Sequence, residues 1–348
     1  MTDLAGRRFV GSLLAGAKLL LRLLVRTVVL LTASWIVLAV WFFKPLPFWL
    51  RSGMAILCGL LFLWLRFSKS AKLSTRSRWL VFAGILAIAA GCWQFFKPTG
   101  DGEWSRLHQT MVHADFTGGT VHLSDIRNTV QHPDGTYEVR HYDKSIDLTH
   151  VKSVWFGVQQ FVSWRGGSHT FVSFEFDDGT YLAISVEARR GEGAQFNPLR
   201  GMFKQCGLIY VVGDELDVIG SRAAESRYPV YLYPIRSTRK QAREMFEVML
   251  RRADGLRTRP EFYHTTVNNC TTNIVNSLNV IAPIRLSPFN WRVMFPGYSG
   301  GVAYEQGLID SDAAFSEVQK MARINERAKD ATPENFSRQI RSGFDAVQ

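Results

Sequence analysis

The chain has 348 residues, a formal charge of +11, 47% hydrophobic residues and four cysteines. Residues 1–97 hold 13 Lys/Arg against one acid, Asp3, while the remainder is almost neutral. With no basic-aromatic stripe in that remainder, the excess charge excludes a nucleic-acid groove and points to membrane topology. Cys58 and Cys92 lie in apolar runs, and the two cysteines left, Cys206 and Cys270, do not make a disulfide framework.

Residues 1–97 read as a membrane anchor. An apolar run over Thr27–Phe43 is extended backwards by Leu19–Val25, with Arg22 and Arg26 able to snorkel. A second run covers about Pro47–Phe67, interrupted by Arg51, and a third covers Trp79–Phe96 with Trp79 and Trp93 as interface anchors. A cleaved signal peptide competes for the first run, but no small-residue cleavage site follows it and two further runs do. The expectation is three transmembrane helices (27–43, 47–67, 79–96), with two as the alternative. Basic residues flank the N-terminus (Arg7, Arg8, Lys18) and the loop between runs two and three (Arg66, Lys69, Lys72, Arg76, Arg78). The positive-inside rule therefore places the N-terminus in the cytoplasm and residues beyond about 98 outside, which in a bacterium with two membranes is the periplasm.

Residues 98–119 are expected to be a tether and entry segment, Lys97–Ser105 reaching at most ~30 Å. Strands are predicted over Thr120–Leu123, Tyr137–His141 and Val151–Phe156. Gly166-Gly167 marks a loop ahead of Ser168–Arg189, a hairpin. There Asp177-Asp178-Gly179 has the form of a type I turn closed by a residue at positive φ. Its register pairs Tyr181 with Glu175, Ser185 with Phe171 and Glu187 with His169. One face then carries Val172, Phe174, Phe176, Leu182, Ile184 and Val186 and must be packed. The other carries His169, Ser185, Glu187 and Arg189.

Beyond the hairpin, Leu208–Val212 and Val230–Pro234 read as strands. The acidic stretch Gly213–Asp217 lacks metal-ligand spacing and is expected to be a solvated turn. A helix capped by Ser237 runs to about Arg252 with Met245, Phe246 and Met249 inward and Gly255 as its stop. Asn268 or Asn269 caps a helix marked by Ile274, Val275, Leu278 and Ile281, which puts Cys270 in its first turn, where the positive end of the dipole favours a thiolate. Cys206 reads as packed ahead of Leu208–Val212, and a Cys206–Cys270 bridge is the competing use of both thiols. Trp291–Tyr298 and Gly300-Gly301 form an aromatic, glycine-rich loop without an assigned role. Phe315–Ala328 is expected to be a last helix, within a C-terminal segment 311–348 ending in a polar tail.

A thiol in a helix start, an imidazole on a strand and a carboxylate opposite it are the parts of a nucleophile, its base and an orienting group. Each also has a plain structural reading: a small buried cysteine, a satisfied strand histidine, a solvated arginine at 189.

The stretches His169–Phe174 and Ser185–Arg189, with Asn269-Cys270-Thr271, resemble the Lnb N-terminal periplasmic domain family. Leu199–Phe203, Asp214-Glu215, Tyr231–Pro234 and Pro260–Tyr263 extend the likeness over most of 120–310. The resemblance implies an α+β fold, a permuted papain-like (NlpC/P60-type) domain whose antiparallel sheet packs on the cysteine helix. It also implies an envelope thiol enzyme related to lipoprotein intramolecular transacylases, with Cys270 as nucleophile, His169 as base and Glu187 as orienting group. Asn269 and Tyr263 become candidates for oxyanion binding, and Arg189 and Ser185 join them at the site. No metal or cofactor is implied. The expected partner is a membrane lipid or lipoprotein at the inner membrane. One departure stands out: in the family's named transacylases membrane helices follow the domain, whereas here they precede it. A cell-wall peptidase or amidase using the same dyad, and a non-enzymatic envelope scaffold, are the competing classes.

Overall fold

The computed structural model describes residues 2–67, 74–132, 134, 136–224, 226–282 and 285–344. Lys69 and Lys72 of the predicted basic loop lie outside these residues. The chain divides into two compact units, Met1–Lys97 and Pro98–Gln348.

The first unit is three helices, α1 (Thr2–Trp41), α2 (Phe48–Phe67) and α3 (Thr75–Phe95). Leu14–Trp41, Phe48–Phe67 and Thr75–Phe95 are long and apolar enough to cross a membrane. Arg51 does not break α2. Trp35 meets Trp93 edge-on at 5.5 Å, and Phe62 meets Phe82 at 5.6 Å. Most leucines point outward, as expected of helices that are apolar on every side.

The second unit is built on one eight-stranded sheet. Its strands are β1 (His113–Thr117), β2 (Thr120–Gln131), β3 (Tyr137–Asp147), β4 (Val151–Gln160), β5 (Ser168–Phe176), β6 (Tyr181–Arg189), β7 (Gly207–Gly213) and β8 (Val230–Pro234). They lie in the order β1-β2-β7-β6-β5-β4-β8, with β3 also paired to β2. The sheet is mixed and not wholly antiparallel, because β2 meets β7 in parallel at Arg127 and Gly213. β1, short and close to the chain entry, has no counterpart among the predicted strands.

The β5–β6 hairpin takes the register its turn dictates: Glu175 pairs with Tyr181, Val172 with Ile184 and Phe171 with Ser185. Gly179 adopts φ +76°, and the Phe176 and Thr180 backbones close the loop. The ladder ends at Phe171–Ser185, so His169 and Glu187 are not paired across it. β5 instead continues along β4 to Ser168, and β6 along β7 to Arg189, so the two strands part where the candidate residues sit.

Short helices α4 (Pro198–Met202) and α5 (Ser221–Ala224) flank β7, and α6 (Arg239–Thr258) and α7 (Cys270–Ile281) cover one face of the sheet. Phe246 of α6 packs on Phe174 at 4.9 Å and on Phe176 at 5.5 Å. The cap of α6 is Thr238, not Ser237, because Thr238 and Gln241 form a reciprocal capping box, and the helix passes through Gly255 to Thr258.

The chain then forms α8 (Trp291–Met294), α9 (Ser299–Glu305), α10 (Phe315–Ala322), α11 (Asn325–Lys329) and α12 (Phe336–Gln339). The single helix expected over 315–328 is broken at Arg323-Ile324, where the Ile324 N–H turns to the Val230 carbonyl. Nor do residues 331–344 form a polar tail. Phe336, Ile340, Arg341 and Phe344 are buried, and Phe344 stacks edge-on against Trp155 on the sheet face opposite α6 and α7.

Two more expectations are corrected. Residues from Gly100 onward do not hang free: Trp104 bridges to Gly191, and Gly100 accepts a hydrogen bond from Arg189. The acidic stretch is not a solvated turn, since each carboxylate has its own partner. Asp214 accepts from Tyr142, Glu215 is paired with Arg341 inside the core, and Asp217 takes Arg127 bidentately at 2.8 Å while also accepting the Thr129 N–H.

Candidate active site

Asn269 caps α7: its side chain accepts from the Thr272 N–H, and Thr272 returns the bond to the Asn269 backbone. Cys270 is therefore the first residue of a twelve-residue helix, with the helix itself supplying no acceptor for the N–H groups of Cys270 and Thr271. The thiol is a free cysteine, 2% exposed, with Sγ 3.9 Å from Thr271 Oγ1. Cys206 is likewise free and buried, so the two are not bridged.

The start of α7 is fastened to the start of β5. Thr271 Oγ1 lies 3.1 Å from Thr170 Oγ1, both side chains fully buried. The residues before each, Cys270 and His169, thus occupy adjacent stretches of backbone. Alternation along β5 turns Thr170 toward α7 and His169 toward the other side, where the imidazole bonds Ser185 and not the thiol.

That side carries a continuous polar chain. Ser185 donates to Glu187 Oε1 at 2.8 Å, which leaves its oxygen to accept from His169 Nε2 at 2.7 Å. The proton is therefore assigned to Nε2, and Nδ1 keeps the lone pair. Glu187 also holds Arg222 at 2.5 Å and, through Oε2, His108 Nε2 at 3.1 Å. The Arg190 N–H points at His108 Nδ1 at 3.4 Å, so His108 too carries its proton on Nε2.

The charges follow from burial. Desolvation drives the His169 imidazole down to about 3, with Arg222 adding and Glu187 opposing, so the ring is neutral near pH 7. Burial pushes Glu187 up, but Arg222 and His108 outweigh it and hold the carboxyl well below its usual range. Tyr263 is held well above the usual phenol value by burial first, then by Cys270, Cys206 and Glu187. This side chain senses both the thiol and the carboxylate and stays a hydroxyl donor.

Of the residues expected at the site, His169, Ser185 and Glu187 are brought together, with Ser185 between the other two. Tyr263 packs its ring on Phe196 and donates its backbone N–H to the Cys206 carbonyl, and Cys270 acts on it electrostatically. Asn269 is withdrawn from any oxyanion role, because its amide already donates to the Thr265 and Met294 carbonyls. Arg189 neither pairs with Glu187 nor lies in solvent. It is 7% exposed, donates to the carbonyls of His108, Gln109 and Gly100, and stacks over Trp104 at 4.6 Å. Arg189 therefore pins the entry segment to the sheet. His108 and Arg222 had no local signal; only the fold brings them to Glu187. No group of three or more His, Cys, Asp or Glu among the described residues is placed to hold a metal.

Compared with known families, residues 138–297 match the Lnb N-terminal periplasmic domain. The chain carries an Lnb domain. No curated protein and no solved structure matches it. The matched Lnb residues hold His169, Ser185, Glu187, Arg222, Tyr263 and Cys270, whereas His108 and Arg341 come from the flanking segments. With three candidate spans ahead of it, the Lnb domain makes this a membrane protein with a periplasm-facing portion.

Proposed function

We propose that the protein is a thiol acyltransferase of the inner membrane, acting from the periplasmic side on an ester of a membrane lipid or lipoprotein, with its N-terminus in the cytoplasm. The observation that carries the reading is the Thr170–Thr271 link, which holds the helix start bearing Cys270 against the strand start bearing His169. The imidazole is neutral with its lone pair on Nδ1, and in this reading substrate binding raises its proton affinity from the buried value so that it can serve as the base.

In this reading His169 Nδ1 takes the Cys270 proton and the thiolate attacks the ester carbonyl. The tetrahedral oxyanion is met by the N–H groups of Cys270 and Thr271 and by the Tyr263 hydroxyl, one such donor being worth about 3 kcal/mol. Collapse breaks the ester C–O bond, the leaving alkoxide receives the proton from His169, and a thioester remains on Cys270. An amine then attacks the thioester, passes its proton to His169, and the thiol is restored. Glu187 acts on the imidazole through Ser185, fixing the tautomer and stabilising the imidazolium as it forms.

The thiol and imidazole are not hydrogen-bonded at rest and His169 faces away from α7, so the reaction requires the ring to turn toward Sγ when substrate enters. An apolar cavity of about 60 Å³ lies behind the helix start, bounded by Val172, Thr271, Ile274, Val275 and Val293. Its greasy lining favours an acyl substrate over a cell-wall peptide.

Incubation of the purified protein with a diacylated lipopeptide, and separately with muropeptides, followed by mass analysis of the products, tests the reading. Acyl migration or release from the lipopeptide by wild type, abolished in Cys270→Ala, is expected. Cleaved muropeptide with untouched lipopeptide would establish the hydrolase instead, and no product from either would favour the scaffold.

A further inference from the structure

Two loops of the second unit present large apolar side chains to the outside. In the loop between β4 and β5, Phe161 is 41%, Val162 39% and Trp164 54% exposed, and ahead of and within α8, Phe289 is 72% and Trp291 57% exposed. The loops are packed on each other. Trp164 meets Phe295 edge-on at 5.2 Å, Arg165 donates to the Gly297 carbonyl at 2.8 Å and lies over Tyr298, and Trp291 stacks edge-on against Tyr298 at 5.1 Å. They form one patch, and a contiguous apolar patch on a monomer marks a contact surface.

The composition says what kind. Residues 161–167 and 285–298 contain three arginines (Arg165, Arg285, Arg292) and three tryptophan or tyrosine residues, and Arg292 is paired with Glu305 at the rim. Indole and phenol rings flanked by arginine are the signature of the interface of an anionic bilayer, where the ring sits at headgroup depth and a guanidinium meets phosphate. The same chain carries three helices able to cross a membrane, so a bilayer is always at hand.

We infer that these two loops form a lipid-docking surface that inserts Trp164 and Trp291 into the interface of an anionic membrane. The patch adjoins the candidate site from both sides. The first loop ends at Ser168, next to His169, and the second contributes Val293 to the apolar cavity that Thr271 also lines. Docking would present that end of the sheet to lipid. The inference rests on the loops alone and holds whether or not Cys270 is a nucleophile.

The full-length protein, labelled with 5-fluorotryptophan and placed in nanodiscs containing phosphatidylglycerol, tests it by 19F resonance. Trp164→Phe and Trp291→Phe, each a conservative change at an exposed ring, assign the two signals. Loss of most of both intensities with doxyl-labelled lipid, and little loss with a water-soluble gadolinium chelate, is expected. Loss to the chelate alone would overturn the inference by placing the rings in water. Protection from both reagents would overturn it equally, by showing protein, a partner or a second copy, over the patch.

Discussion

Thr170 and Thr271, 101 residues apart, share a buried hydrogen bond of 3.1 Å, and it is this contact that sets the cysteine helix on the histidine strand. Cutting it should loosen the site before it loosens the fold. Removing both hydroxyls together, Thr170→Val with Thr271→Val, leaves no orphaned donor and so costs little stability. The expected result is a melting temperature near wild type with acyl transfer lowered by at least tenfold, read from parallel thermal scans and turnover assays.

Ser185 stands where a carboxylate was expected to touch the imidazole. Ser185→Ala removes the acceptor that holds His169 in the Nε2–H form. Turnover should fall about a hundredfold, the scale of a misoriented general base, with KM little changed. Nitrogen-15 resonances of the His169 ring should show the tautomers mixing.

Acid should weaken the fold earlier than in an ordinary domain. Unfolded, His169 takes a proton near pH 6.5, whereas folded it stays neutral to about 3, so stability is lost as pH falls through that window. Glu187, depressed in the fold, adds a loss of the same sign below its unfolded value of about 4.5. Urea midpoints between pH 4.5 and 6.5 should decline steadily in wild type and flatten in His169→Gln.

The buried Arg341–Glu215 pair ties the last turn of the chain to the sheet. Arg341 Nη2 donates to Glu215 Oε1 at 2.6 Å, and the guanidinium lies between Trp155 and Tyr181. Arg341→Ala strands a buried carboxylate and should cost about 3–5 kcal/mol, while the apolar double change Arg341→Met with Glu215→Leu recovers most of it. Chemical denaturation of the three variants checks this.

Glycines divide into those that are needed and those that are not. A Cβ at Gly297 would meet the Arg165 carbonyl at 1.8 Å, so Gly297→Ala must push the two aromatic loops apart, at about 1–3 kcal/mol. Gly255, in the last turn of α6 with open space around it, should instead gain up to about 1 kcal/mol as alanine. Thermal melts of the two variants should move in opposite directions.

What could be read from the sequence was what local chemistry controls. The Asp177-Asp178-Gly179 turn sets the hairpin register by itself, and the Asn269 cap with its apolar spacing sets the cysteine helix. The parting of β5 from β6 beyond Phe171 was not legible, because it depends on which neighbour each strand prefers. His108 and Arg222 reach Glu187 from 79 and 35 residues away with no motif around either. The C-terminal segment looked polar although it buries Arg341, whose charge is paired across the fold with Glu215. Arg341 reads as a surface residue until Glu215 is placed beside it.

In the proposed reaction Cys270 carries an acyl group during turnover. Quenching the protein with acid soon after mixing with diacylated lipopeptide, then weighing the proteolytic peptide that contains Cys270, measures this directly. A mass increase equal to one fatty acyl group, removed by neutral hydroxylamine and lacking in Cys270→Ala, is expected. An unmodified Cys270 peptide under conditions where lipopeptide is being turned over would contradict it.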